Sequence, residues 1–169
     1  ELYSSETEIY PIEIHYKTEV MGVAIAFIIL FFTFGSLILA GMPIVTAGTG
    51  LCVGLLGILL ATNFTSISFV CLSLAAMLGL AVGIDYALFI VSRFRQEYAK
   101  GYSIQQSIAI ANGTAGTAVV FAGITVIIAL VGLSIPKIPF LSMMGYTAAV
   151  TVLFAILIAI LVVPSMLML

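Results

Sequence analysis

The stretch ISFVCLSLAAMLGLAVGIDYALFIV, residues 67–91, decides how this chain is read. Wound as an α-helix it is long enough to cross the ~30 Å hydrocarbon core of a bilayer. Its only charged residue is Asp85. An acid at such a depth costs roughly 2.5–3.5 kcal/mol on insertion scales, so its presence points to function before packing. The run leads directly into Ser92-Arg93-Phe94-Arg95, a basic exit from the membrane.

The rest of the chain agrees with a membrane reading. Hydrophobic residues make up 63% and charged residues 7% of the 169, where a soluble domain carries about a quarter charged. Five runs predict transmembrane helices, at about 19–40, 43–61, 67–91, 114–133 and 140–163. The fold class is therefore all-α, a polytopic membrane helix bundle over residues 19–169. Residues 1–18, with Glu1, Glu6, Glu8 and Glu13, read as an extramembrane segment left from a larger extracytoplasmic region. Within it Ile12, Ile14 and Tyr16 alternate with polar residues, as at the end of a strand.

The connections are short. Gly41-Met42-Pro43 reads as the turn between the first two spans, placing them as antiparallel neighbours. Thr62 to Ser66 and Ser134 to Pro139 link later pairs. The longest connection, 92–113, carries Arg93, Arg95 and Lys100, three of the five basic residues, and is cytoplasmic by the positive-inside rule. The N-terminus is then extracytoplasmic and the C-terminus cytoplasmic. Inside that loop Ser103-Ile104-Gln105-Gln106 fits a capping box, predicting a short amphipathic helix over 103–111 that ends at Asn112-Gly113.

On the span bearing Asp85, Ala75, Gly79, Gly83 and Ala87 recur every four residues as a face for close helix contact. Asp85 lies two residues past Gly83, about 200° around the helix from that face. A close contact on one side and a carboxyl group to hide on the other predict a helix packed on both sides. Tyr86 adds a hydroxyl beside the acid. No other span supplies a basic partner, which leaves hydroxyl groups such as Thr117 or Thr125, or helices outside this chain. Arg93 and Arg95 read as topology anchors.

Cys52 and Cys71 lie in apolar runs and read as packing residues, and His15 has no neighbours suited to a metal site, so neither metal nor cofactor is expected. No nucleophile-base arrangement or phosphate loop is present to suggest an enzyme, and no basic cluster to suggest nucleic acid.

The motif Gly83-Ile84-Asp85-Tyr86-Ala87-Leu88-Phe89-Ile90-Val91-Ser92-Arg93-Phe94-Arg95, followed by Glu97 and Gly101, resembles the MMPL family of the resistance-nodulation-division superfamily. Phe34-Gly35-Ser36, Thr114-Ala115-Gly116, Val119-Val120-Phe121, Thr125-Val126 and Pro139-Phe140-Leu141 extend the likeness. The resemblance implies helices two to six of one half of a twelve-helix transporter, the N-terminal half being the closer match. It implies a proton relay in which Asp85 and Tyr86 face an equivalent pair from the missing second half, with Thr125, Thr117 and Phe89 as candidate partners. Two departures bear on that relay: family members often carry Arg where this chain has Thr117 and Ser where it has Ala122, so Thr125 is the substitute hydroxyl.

The implied function is the membrane portion of a proton-motive-force-driven exporter of lipids or other hydrophobic compounds, with Asp85 carrying the proton. Its partners would be membrane lipids, protons, a hydrophobic substrate and the missing half, for which a second copy of the chain is the alternative. The competing reading is a non-transporting, sterol-sensing-like regulatory bundle or accessory subunit.

Overall fold

A computed structural model describes residues 10–62 and 67–168, with side chains described from residue 20 onward. The Glu-rich start of the chain and the loop at 63–66 lie outside the described residues. Among the described residues six helices follow one another: α1 (Tyr10–Phe34), α2 (Leu37–Ala61), α3 (Phe69–Ala99), α4 (Ile104–Ala111), α5 (Thr117–Gly132) and α6 (Pro139–Leu167), with a π-helical turn at Asn112–Gly116 joining α4 to α5. Among the described residues, four helical stretches are long and apolar enough to cross a membrane: Leu37–Ala61, Phe69–Ala99, Ile104–Gly132 and Pro139–Leu167. Val20–Phe34 of α1 is apolar but shorter. The all-α membrane bundle expected from the sequence is what the chain forms.

The chain divides into two compact units, residues 1–41 and 42–169. In the first, the helix begins at Tyr10, so the alternation at Ile12, Ile14 and Tyr16 is helical and not the strand end expected. An isolated extended segment leaves its backbone groups without partners, whereas a helix closes its own ladder. The first break also moves. It falls at Gly35-Ser36, where Gly35 takes φ +61° and its N–H bonds the Phe31 carbonyl at 2.8 Å. That left-handed position suits glycine, which ends the helix there. The Gly41-Met42-Pro43 turn is therefore not a turn, because α2 runs straight through it with Pro43 inside the helix. A proline costs a backbone hydrogen bond in mid-helix but is tolerated in apolar spans where neighbours re-satisfy the freed group.

In the second unit α6 is the central element, packed against α3 on one side and α5 on another. Its contact face is made of small residues, including Gly145, Ala148, Thr151, Val152, Ala155 and Ala159, all buried. The α2 glycines meet the same helix: a Cβ on Gly50 would lie 3.4 Å from Ala155 Cα, and one on Gly54 3.3 Å from Thr151 Cα. Small residues at this spacing let backbones approach, so dispersion between close-packed helices replaces the hydrophobic drive that lipid removes.

The region expected as a long loop, 92–113, is mostly helix. α3 extends to Ala99, and the chain reverses at Lys100 to Ser103 through Gly101 at φ +94°. At 31 residues α3 is about 46 Å long, well beyond the hydrocarbon core. α4 begins at the expected capping box: Ser103 Oγ accepts from the Gln106 N–H, and Gln106 Oε1 accepts from the Ser103 N–H, each at 3.3 Å. Asn112-Gly113, however, does not end it. The π-turn carries the helix onward, and Gly116 is glycine there because a Cβ would meet Asn112 Oδ1 at 2.7 Å. The buried face of α4 is Ser107, Ile108 and Ala111, with Ile104 exposed. Ile108 and Ala111 form a cluster with Phe94 of α3, and Leu167 of α6 packs on it. The amphipathic segment is thus docked on protein and runs on through the π-turn into α5, instead of standing as a separate helix. Replacing Ser103 by Ala should cost about 0.5–2 kcal/mol, read as earlier amide exchange across Ile104–Ala111 with the core of α6 unaffected.

Candidate functional site

Asp85 falls near the middle of α3, 16 residues after Phe69 (85 − 69) and 14 before Ala99 (99 − 85). The small stripe beside it is packed as its spacing requires. Ala75, Gly79, Gly83 and Ala87 are all buried. A Cβ on Gly83 would lie 3.0 Å from Ala47 Cβ and 3.1 Å from Ala47 Cα of α2, and one on Gly79 would lie 3.2 Å from Thr151 Cβ of α6. This face fixes the rotation of α3 in the unit, and everything on the opposite face follows from it.

Asp85 is on that opposite face and is exposed within this chain. Of the two sides on which packing is expected, the chain itself covers the glycine side and leaves the acid side open. The reason is geometric, since 200° of rotation carries Asp85 away from both α2 and α6. Among the described residues no group hydrogen-bonds or ion-pairs with its carboxyl. Phe89, one turn further on, is 52% exposed on the same side.

Tyr86 points elsewhere. It is half-buried, and its hydroxyl lies 3.4 Å from where a Cβ on Gly123 of α5 would stand, beside Ile156 of α6. Sequence reasoning did not single out Gly123, yet its missing side chain makes room for both the Ile156 side chain and the tyrosine hydroxyl. The adjacent acid and phenol are therefore split, one outward and one into the α5–α6 seam.

The candidate hydroxyls are not brought to Asp85. Thr117 Oγ1 donates to the Gly113 carbonyl at 2.6 Å and Thr125 Oγ1 to the Phe121 carbonyl at 2.9 Å. Both threonines are exposed. Each hydroxyl proton is held by its own helix, as is usual for threonine in apolar helices.

Beyond the apolar run lies a charged cluster that the sequence reading did not assemble. Glu97 is 3% exposed and is shared by two cations: Arg93 Nη2 lies 3.0 Å from Glu97 Oε1 and Lys100 Nζ lies 2.8 Å from it. The spacings i, i+4 and i, i+3 are the helical signal that could have found it. Arg93, expected as a topology anchor, is thus also an ion-paired residue. A shallow cavity of about 270 Å³ opens beside it, between the last turns of α3 and the start of α5.

Comparison with known proteins follows from these residues. Residues 11–169 match the MMPL family. The chain is 53% identical over 155 residues to membrane protein YdfJ of Bacillus subtilis, covering 92% of the chain and 21% of that protein. It is 33% identical over 151 residues to the trehalose monomycolate exporter MmpL3 of Mycobacterium tuberculosis, and 36% identical over 149 residues to the mycolic acid-containing lipids exporter MmpL11 of Mycolicibacterium smegmatis. Each of those two alignments covers 88% of the chain and 16% of the relative. The chain thus spans about a fifth or less of the length of these relatives. With the match reaching from the first helix to the last, and with the Gly83–Asp85–Tyr86 helix at its centre, the chain belongs to the MMPL family.

Proposed function

We propose that this chain is the membrane portion of a proton-motive-force-driven exporter of lipids or other hydrophobic compounds, in which Asp85 carries the proton. The observation that supports this reading most is the open carboxyl group: Asp85 stands exposed within the apolar part of α3, six residues before its end at Val91 (91 − 85), with no partner among the described residues. A carboxylate facing lipid is costly, so a face like this is completed by polar groups or water from elsewhere. In this reading the completing surface is a second half-transporter bearing its own acid, or a second copy of this chain. Two of the relatives are named as lipid exporters, which favours a hydrophobic cargo.

Coupling follows from the split between Asp85 and Tyr86. Protonation of Asp85 removes the charge that resists an apolar neighbour and lets the exposed face of α3 close on its partner. Tyr86, wedged at Gly123 between α5 and α6, transmits that movement into the packed side of the bundle. Proton binding then biases two packings by its differential affinity for them. Thr125 and Thr117 serve as relay hydroxyls if their helix turns toward the acid, and Phe89 controls water entry beside it. The basic turn at Arg93 to Lys100 lies on the cytoplasmic side in this reading, with residues 1–18 extracytoplasmic.

The deciding experiment is export by the full-length protein in cells whose proton gradient is collapsed with a protonophore while ATP is maintained. Export should stop. Continued export at the original rate would rule out a proton-driven mechanism. Tyr86→Phe in the same assay should lower the rate several-fold without abolishing it, since the ring still fills the space at Gly123.

A further inference from the structure

The π-turn at Asn112–Gly116 sits between two helices that are held in different ways. On one side α4 is docked on α3 through Phe94, Ile108 and Ala111, and its Ser107 is fully buried. On the other side α5 meets α6 through bare or flexible groups: Gly123 faces the free end of Ile156, and Gly145 of α6 lies against the Leu130 carbonyl. The α4 end is keyed in place and the α5 end is smooth.

A π-turn holds one residue more than an α-turn, and such turns recur at functional sites in α-helices. If this one relaxes to α-helix, everything after it advances by one residue, about 100° around the axis and about 1.5 Å along it. Each residue of α5 then takes the place its successor holds now. The two forms are close in cost. In the π-form Asn112 Oδ1 is buried with no hydrogen-bond partner among the described residues, while Gly113 and Gly116 weaken the α alternative. At its far end α5 tightens into successive i→i+3 bonds from the Leu133, Ser134 and Ile135 N–H groups, slack that absorbs the advance.

The consequence falls on Asp85. Phe89 of α3 and Ala118 of α5 line the same groove. The chain reverses at Lys100 to Ser103, so α5 runs antiparallel to α3, and Ala122, four residues after Ala118, stands level with Asp85, four before Phe89. An advance of one residue brings Phe121 to the place of Ala122 and Thr117 to that of Ala118. A methyl group level with the acid is exchanged for a phenyl ring, and Thr117 arrives one turn away, while Thr125 is carried off that face. On the α6 side Ala122 enters the place of Gly123, where its Cβ displaces the end of Ile156 and presses on the Tyr86 hydroxyl, 3.4 Å from that point. α5 itself carries no titratable group, so Tyr86 is the one that shares the movement with Asp85.

We propose that the π-turn is a two-position joint: in the present position Asp85 is uncovered, and in the advanced position Phe121 covers it. The role of the joint rests on the reading of Asp85 as the proton carrier and names the movement that protonation drives. A carboxylate resists burial under a ring and a neutral carboxyl group accepts it, so protonation favours the advanced position.

The test uses full-length protein freed of native cysteines, carrying Ser92→Cys with either Ala118→Cys or Thr117→Cys and a short bis-thiosulfonate cross-linker. The Ala118 pair should react faster in the parent, and adding Asp85→Asn should raise the Thr117-to-Ala118 ratio several-fold. Deleting Gly113 removes the extra residue and leaves α5 in its present position as plain helix, so it should abolish that rise. A ratio unchanged by Asp85→Asn, or a rise that survives the deletion, would overturn the joint. Cross-linking needs no transport, which keeps the two readings apart. An unchanged ratio in a protein whose export still stops with a protonophore removes the joint alone; a rise in a protein whose export ignores the protonophore removes the proton reading alone. If the deletion variant does not fold, Gly113→Ala with Gly116→Ala takes its place: alanine favours the α-form, so the ratio should rise with Asp85 intact, and no rise would overturn the joint.

Discussion

Replacing Asp85 by asparagine should reduce proton-dependent export by the full-length protein to background while leaving its amount in the membrane unchanged. The substitution keeps the size and most of the polarity of the side chain but removes the site of protonation. Because Asp85 is exposed in this unit and has no partner among the described residues, no internal contact of the fold depends on it. Loss of function with retained fold is therefore the expected pairing, and it separates a proton carrier from a carboxyl group that merely ties two helices together. A structural role would instead show as loss of protein or a lower melting temperature. Asp85→Glu should retain partial activity, since the carboxyl group is preserved but displaced by one methylene.

Gly145→Ala should be among the most destabilising single-methyl changes in the chain, at about 1–3 kcal/mol. A Cβ at Gly145 of α6 would run into the Leu130 carbonyl oxygen of α5 and lie 3.1 Å from Leu133 Cβ. The first of these is backbone, which cannot rotate out of the way, so the two helices must separate along their seam. Gly123→Ala is a milder test of the same seam, because the atoms it meets are the flexible end of Ile156. Gly48→Ala provides the contrast: nothing lies within 4 Å of a Cβ there, and alanine favours a helix interior over glycine by about 0.5–1 kcal/mol. Thermal unfolding in micelles should order the three as Gly48→Ala at or above the parent, Gly123→Ala below it and Gly145→Ala lowest. Equal melting of Gly145→Ala and the parent would show that α5 and α6 are not in the contact described.

The spans were legible because an apolar helix in lipid must satisfy its own backbone, and nothing but length and hydropathy is needed to find it. The capping box at Ser103 and the four-residue stripe through Gly79 and Gly83 were legible for a similar reason: both are local patterns whose geometry is set by the helix itself. Breaks were harder. Gly41-Met42-Pro43 and Gly35-Ser36 both carry a glycine of the kind that can end a helix, and only the conformation at Gly35 distinguishes the one that turns. Asn112-Gly113 looked like a stop, yet a π-turn absorbs it, because Asn112 and Gly116 occupy complementary space one wide turn apart.

Asp85 could be identified from its cost, and its rotation away from the glycine face from its spacing. Its exposure could not, since that depends on which helices the chain supplies. The partners of Tyr86 were beyond reach for the same reason. Gly123 and Ile156 meet it only through the packing of α5 on α6, which no local pattern encodes. Glu97 was in plain view at i+4 from Arg93 and i−3 from Lys100, but its burial was not, since no local pattern encodes what covers it.

The central claim is that Asp85 carries the proton that drives transport. It is tested most directly in proteoliposomes of the full-length protein containing an entrapped pH dye, with an imposed gradient of a transported hydrophobic substrate. The parent protein should move protons in response to that gradient, and Asp85→Asn should move none above the lipid background. Substrate-driven proton movement of equal size in the two proteins would contradict the account.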